Sequence, residues 1–308
     1  MRWDFHGLII EGMANDANIA AAWARSFSSL PPGEGEPHLR VQLAPVAEVP
    51  SPPDGAPDFT QGELLAYYVR GSDVVAHFPR YGQLRLDLAR GVTDGRLTPA
   101  VLDRYGVLED MLAISLSPHL RRRGFFLIHA FAAAWQGRGL LLVGGIGAGK
   151  TTTGMALLAG GWQLLSNDSP VVGEDGRLYQ YPGVLAAYPA TFARFPAAAA
   201  LVPAAAPPDQ KISARAETIW PGVWWREAPA AAICFPQIEA RGTHRLERLT
   251  PAQALTQLLP HAIEQWDREL IPRHLTAVRT LAESAPAFLL RLGPDVAAIP
   301  PLLREVLE

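Results

Sequence analysis

The sequence predicts an α/β protein, a mixed sheet with flanking helices, joined to a small N-terminal α+β domain. Three observations predict it. Short apolar, strand-like runs alternate with segments of helical spacing from residue 96 to 308. Within 1–95, the stretches ELLAYYVRG, DVVAHFPR and QLRLDLARG follow one another across Gly-Ser and Tyr-Gly turns, as successive strands do. GGIGAGKTT (144–152) stands between an apolar run and a helical pattern, the order of a strand, a phosphate-binding loop and a helix. With 308 residues, 49% of them hydrophobic, the chain can bury one large core and a smaller companion. The expected division is 1–95 and 96–308.

Taken in order, DFHGLIIEG reads as a strand, ANIAAAWARSFSSL as a helix and HLRVQLAPV as a strand. VPSPPDGAPD (49–58) reads as an exposed loop. Thr98-Pro99 opens a helix expected to run through VLDRYGVLEDMLAISLSPHL, with Pro118 kinking or ending it. Arg121, Arg122 and Arg123 read as a solvated cap on that helix's negative end, or as a phosphate contact. GFFLIHAFAAAWQ (124–136) reads as one buried strand, paired through a turn at Gly137-Arg138-Gly139 with LLLV (140–143). TTTGMALLAGG is a helix closed by Gly160-Gly161, WQLLS a short strand, and SPVVGEDGRLYQY a hairpin around Glu174-Asp175-Gly176. FPAAAALVPAAAPPDQ (195–210) reads as a mobile surface loop. AAAICFPQI is a buried strand, 251–265 and 268–284 are helices, FLLRLG a last strand and DVAAIPPLLREVLE a terminal helix.

Composition narrows the function. A net charge of −3 argues against a nucleic-acid surface. The single cysteine, Cys234 in AAICF, excludes a disulfide framework and a cysteine zinc site, and reads as a buried thiol. No stretch of about 18 apolar residues suggests a membrane span. MRWDFHGLII lacks a signal-peptide pattern, so a cytoplasmic protein is expected. His6, His38 and His77 are isolated and read as surface or satisfied core histidines. Of 27 basic residues only Lys150 and Lys211 are lysines. In a chain that uses arginine so heavily, a retained lysine marks a place that needs a compact ammonium.

Gly144, Gly149, Lys150 and Thr151 satisfy G-x-x-x-x-G-K-[ST]. In such a loop Gly144, Gly145, Ile146, Gly147, Ala148 and Gly149 turn backbone N–H groups toward phosphate oxygens, and Thr152 extends the cradle into the helix. The helix points its positive end at the same place. Lys150 supplies charge on the terminal phosphates, and the Thr151 hydroxyl can ligate Mg²⁺. Asp168 follows Lys150 unusually closely, at the carboxyl edge of the sheet, as a candidate metal ligand. His129 lies in the strand that pairs with the one feeding the loop, and pairing can bring it to the Asn167-Asp168 corner.

The strand with His129-Ala130, the hairpin, GGIGAGKTT, the short helix and LLSND together resemble the C-terminal kinase domain of HPr kinase/phosphorylase and its relatives, which share the phosphate-loop fold of PEP carboxykinase. The resemblance spans roughly 98–300 and does not cover 1–95. It implies a phosphate-loop kinase core, with ATP and Mg²⁺ as cofactors. Lys150 and Thr151 would hold phosphates and metal, Asp168 would be the second of an acid pair, and His129 would lie beside it. Asn167 replaces the first acid, which leaves the proton acceptor to Asp168 or His129. Phosphoryl transfer rests mostly on positioning, so that loss need not abolish it. QYPGVLAAYPATFARFP stands where HPr kinases carry Glu-x-Arg-Gly, so HPr itself is not the expected acceptor.

The implied activity is transfer of the γ-phosphate to a hydroxyl, a serine of a peptide or protein or a small alcohol, with Lys211 as a second clamp on the phosphate. Relatives of this kind often form homo-oligomers. The alternative is a nucleotide-binding regulatory or scaffold protein with decayed catalysis. No LSGGQ-like or Asn-Lys-x-Asp signature supports a transport ATPase or a GTPase. Trp220, Trp224 and Trp225 read as packing residues or as an acceptor platform.

Overall fold

The structure, a computed structural model, describes every residue except Tyr105, Ala240, Ile263 and Glu308. These four fall within or beside expected helices and strands and lie outside the described residues. The chain divides into two compact units, Met1–Arg123 with Glu264–Leu270, and Gly124–Ile263 with Ile271–Glu308. The expected boundary at 95 thus differs from the observed one, because the helix after it packs on the first sheet.

In the first unit, β1 (Arg2–Phe5) and β2 (Leu8–Ala14) form a hairpin around His6-Gly7, followed by α1 (Ala17–Ser26), capped by Asp16. β3 (Leu39–Pro45), β4 (Phe59–Gln61), β5 (Leu65–Arg70), β6 (Asp73–Phe78), β7 (Gly82–Asp87) and β8 (Val92–Leu97) complete a mixed sheet in the order β1-β2-β3-β8-β7-β6-β5-β4. The long helix expected from Thr98 is in two pieces. A 3₁₀ turn, Pro99–Leu102, precedes α2 (Val107–Arg121), because Gly106 takes φ 94° at the break. Pro118 lies inside α2 without ending it.

Of the arginine triplet, Arg123 is exposed and caps the helix end by donating to His119 O (3.1 Å), but Arg121 is not solvated. Arg121 is 1% exposed and, with Arg122, grips the buried Asp267 carboxylate at 2.9 Å. Beside it, Trp266 stacks on Tyr67 with ring centroids 4.6 Å apart. His119, also on α2, donates from Nε2 to Thr93 Oγ1 (2.9 Å), whose own hydroxyl donates to Ser115 O.

The second unit is built on β9 (Phe125–Leu127), β10 (Ala130–Trp135), β11 (Arg138–Val143), α3 (Lys150–Ala159) and β12 (Gln163–Ser166). The expected single strand at 124–136 is broken at Ile128-His129. Its first half pairs with β13 (Val171–Gly173) and its second with β11 and β12. The turn to β11 sits at Gln136 (φ 49°) and Gly137 (φ 75°), the two positive-φ positions a tight hairpin needs.

β14 (Arg177–Tyr179), β15 (Leu185–Ala187), two short helices α4 (Pro189–Phe192) and α5 (Pro196–Ala199), β16 (Ile212–Ala214) and α6 (Ala216–Ile219) follow. The stretch read as a plain loop thus carries α5, with Ala198 buried. β17 (Glu227–Ile238), β18 (Arg245–Leu249), α7 (Pro251–Ala262), α8 (Ile271–Ser284), β19 (Ala287–Leu292) and α9 (Ile299–Glu305) finish the unit. β11, β17 and β19 run parallel, while β10, β12 and β18 are antiparallel to their neighbours, so the sheet is mixed as expected.

Alternation along β10 and β11 divides the core. Phe131, Ala133, Leu140 and Leu142 pack with α3 and α9. Ala130, Ala132, Ala134, Leu141 and Val143 pack with α7 and α8. Cys234 is buried, and burial raises its thiol to about 12, so it is inert at neutral pH. Among the described residues no helix is long and apolar enough to cross a membrane.

Candidate functional site

The loop Gly144–Gly149 leaves β11 at the sheet's carboxyl edge and enters α3. Gly147 (φ 81°) and Gly149 (φ 99°) take left-handed backbone conformations. A Cβ on Gly149 would also stand 2.9 Å from Leu292 Cδ1, which would have to move, so the left-handed backbone and the close approach both favour glycine. Gly144, Gly145, Gly147, Ala148 and Gly149 are partly or fully open to solvent, and Ile146 is fully exposed at the loop's tip. Thr151 and Thr152 are half-buried in the first turn of α3.

Lys150 is buried to 8% exposure. Its ammonium donates to Gly144 O (2.5 Å) and Gly145 O (3.2 Å) and lies 3.2 Å from His129 Nε2. His129 is placed by the strand break: its N–H donates to His261 O (2.8 Å), and the next residue, Ala130, donates to Asp168 O (2.9 Å). Asp168, just past β12, is thereby drawn beside it, with Oδ1 3.4 Å from His129 Nδ1. Because the ammonium needs a lone pair on Nε2, the imidazole carries its proton on Nδ1, facing the carboxylate. Burial lowers the pKa of His129, with further lowering by Lys150 and Lys211 and a partial offset by Asp168. The ring is therefore neutral at pH 7. Burial also lowers Lys150, partly offset by Asp168.

The geometry thus brings Lys150, His129 and Asp168 together at the glycine loop. Lys211 is exposed immediately before β16, and its charge acts on both His129 and Lys150. Asn167 points elsewhere, its amide donating to Val184 O at 2.8 Å. Trp220 and Trp224 pack partly buried against the core, Trp224 Nε1 bonding Glu217 at 2.9 Å, whereas Trp225 is 37% exposed.

Sequence reasoning missed His261. It sits on α7, its ring 6.2 Å from that of His129, and lines a cavity of about 420 Å³ with Gly144, Gly145, Gln237, Thr256 and Gln257. Among the described residues no charged side chain lines this cavity, and burial with the nearby His129 and Lys150 lowers His261 as well. Nothing local to TQLLPHA marks it; only the packing of α7 on the sheet brings it here.

No family model matches the chain, and no curated protein matches it by sequence. Among solved structures, the Hpr(Ser) kinase/phosphatase from Coxiella burnetii is similar at 14% identity over 58% of this chain and 88% of that one, with a TM-score of 0.28. At that level of superposition, roles at this site rest on the chain's own residues.

Proposed function

We propose that the chain is an ATP-dependent kinase that transfers the γ-phosphate to a hydroxyl, a serine of a peptide or protein, and that it acts in the cytoplasm. The observation that carries this reading is the line Lys150–His129–Asp168 at the mouth of a glycine loop and a helix N-terminus. Backbone N–H groups of 144–149 and of the first turn of α3, Thr152 among them, receive the phosphates. Asp168 and the Thr151 hydroxyl offer hard oxygen ligands suited to Mg²⁺, which takes its other ligands from phosphate and water. Bound metal would neutralise charge on the transferring group.

Lys150 moves from the loop carbonyls onto the terminal phosphate, and that frees His129 Nε2. The neutral imidazole then takes the acceptor's hydroxyl proton while the oxygen attacks phosphorus and ADP leaves. Asp168, facing Nδ1–H, steadies the imidazolium. The uncharged cavity beside Gly144, Gly145 and His261 abuts the phosphate end and admits the acceptor. Asn167 is no lost base in this scheme, since its side chain is committed to Val184 O.

The test is transfer from [γ-³²P]ATP to proteins and peptides encoded beside the gene. Lys150→Ala is expected to abolish transfer with the fold retained, and Asp168→Ala to abolish magnesium-dependent transfer. Transfer retained by either variant would overturn the assignment. Tight ATP binding without transfer to any acceptor would favour a regulatory nucleotide-binding protein instead.

A further inference from the structure

We infer that Asn167 is a positioning residue whose amide holds the β15–β16 arm, and with it Lys211, against the phosphate site. The part of this inference that concerns nucleotide rests on the kinase reading above; the mechanical part does not. Asn167 follows β12 directly and donates through Nδ2 to Val184 O at 2.8 Å. Val184 leads into β15, which pairs with β16 in the register Ala187↔Ile212, so Lys211 is the residue just before that pair. Gly183 completes the contact. A Cβ there would stand 3.0 Å from Asn167 Oδ1, so a larger residue would press on the amide and shift it.

The chemistry explains why an amide suits this corner. The acceptor at Val184 is a carbonyl oxygen, so residue 167 must donate. An aspartate here would set a carboxylate against that oxygen and break the tether. Asn167 is therefore specified by the arm and not by decay of a base. The lowering of His129 and Lys150 by Lys211 agrees with an arm held close to the loop. The tether would keep this cation near a terminal phosphate held at the loop.

The chain's two lysines make this testable. Protein labelled with ¹³C-lysine gives two ε-CH₂ signals, one of them from Lys211 and assigned with Lys211→Arg. Asn167→Ala, Asn167→Asp and Gly183→Ala are each expected to move the Lys211 signal toward the value of a free lysine, without nucleotide present. For affinity the probe is Mg²⁺ with the non-hydrolysable analogue AMP-PNP. Asn167→Ala and Lys211→Ala should each weaken it about tenfold, the loss of one charge-assisted contact, and the double variant should be no weaker than either. Additive losses, or an unmoved Lys211 signal in a folded Asn167→Ala or Gly183→Ala protein, would overturn the inference. A moved signal with no AMP-PNP binding in the parent protein would instead sink the kinase reading and leave the tether standing.

Discussion

Gly154→Ala tests whether the seat of α3 sets the site. Gly154 faces the ring of Phe131, and an added Cβ would fall inside contact distance of Phe131 Cε2 and Cζ and 2.6 Å from Cδ2. Two effects compete. Replacing glycine by alanine in a helix interior gains about 1 kcal/mol from propensity. Overpacking a filled core costs about 1–3 kcal/mol. Phe131 is 0% exposed and lies on a strand paired on both sides, so the cost belongs near the top of its range. A net loss of about 1–2 kcal/mol follows.

The same clash has a functional reading. Phe131 is two residues from His129, and Gly154 is one turn from Lys150. Pushing them apart lengthens the Lys150–His129 approach of 3.2 Å. Urea unfolding should show a lower midpoint at unchanged slope. Isothermal titration with Mg²⁺·AMP-PNP should show weaker binding. Equal or higher stability together with unchanged nucleotide affinity would refute the claim that this close approach positions the loop.

Two further outcomes follow from the first unit. Burial, reinforced by Arg123 and Arg122, lowers His119 from the ordinary 6.5 to about 4. Its folded pKa is depressed, so the contribution is fully present above 6.5 and is lost as pH falls toward 4; integrated over that window it is about 3 kcal/mol. His119→Leu should flatten this acid limb in urea titrations at stepped pH, and an unchanged limb would refute the assignment. Asp267→Ala strips Arg121 and Arg122 of a buried carboxylate held at 2.9 Å and should cost about 3–5 kcal/mol. A thermal midpoint equal to that of the parent protein would show the network to be neutral.

What could be read from the sequence was local. The glycine loop, its helix, the quick return to Asp168 and the hairpin bringing His129 near all follow from short spacings and turn residues. What could not be read depended on partners distant in the chain. The apolar run 124–136 has no periodic mark at residue 128, since both halves are buried; only the change of strand partner breaks it there. Arg121 looked solvated because Asp267 lies 146 residues away. The edge strand Arg245–Leu249 was missed because its exposed, charge-rich RLERL lacks a clear apolar face. Asn167 read as a substitution in a catalytic pair, although its amide has a carbonyl to bind that the sequence does not reveal.

Lys150→Arg joins the composition to the site. An arginine-rich chain that keeps lysine here invites the test of whether charge alone suffices. The ammonium is met by three acceptors, Gly144 O, Gly145 O and His129 Nε2, all within 3.2 Å of one nitrogen. A tetrahedral ammonium can aim three hydrogens at three converging acceptors; a planar guanidinium spreads its donors over a fork and cannot. It is also larger, and the pocket leaves Lys150 only 8% exposed. Arginine at 150 must therefore either push the loop outward or leave the His129 lone pair unmet. On the kinase reading proposed above, phosphoryl transfer should fall by about 10²–10³, the loss of one aimed donor, although the net charge is unchanged. Circular dichroism and urea unfolding should show the fold retained. If Lys150→Arg keeps a tenth or more of the parent's transfer rate, a compact ammonium is not what the loop requires, and the case for reading function from the two surviving lysines fails with it.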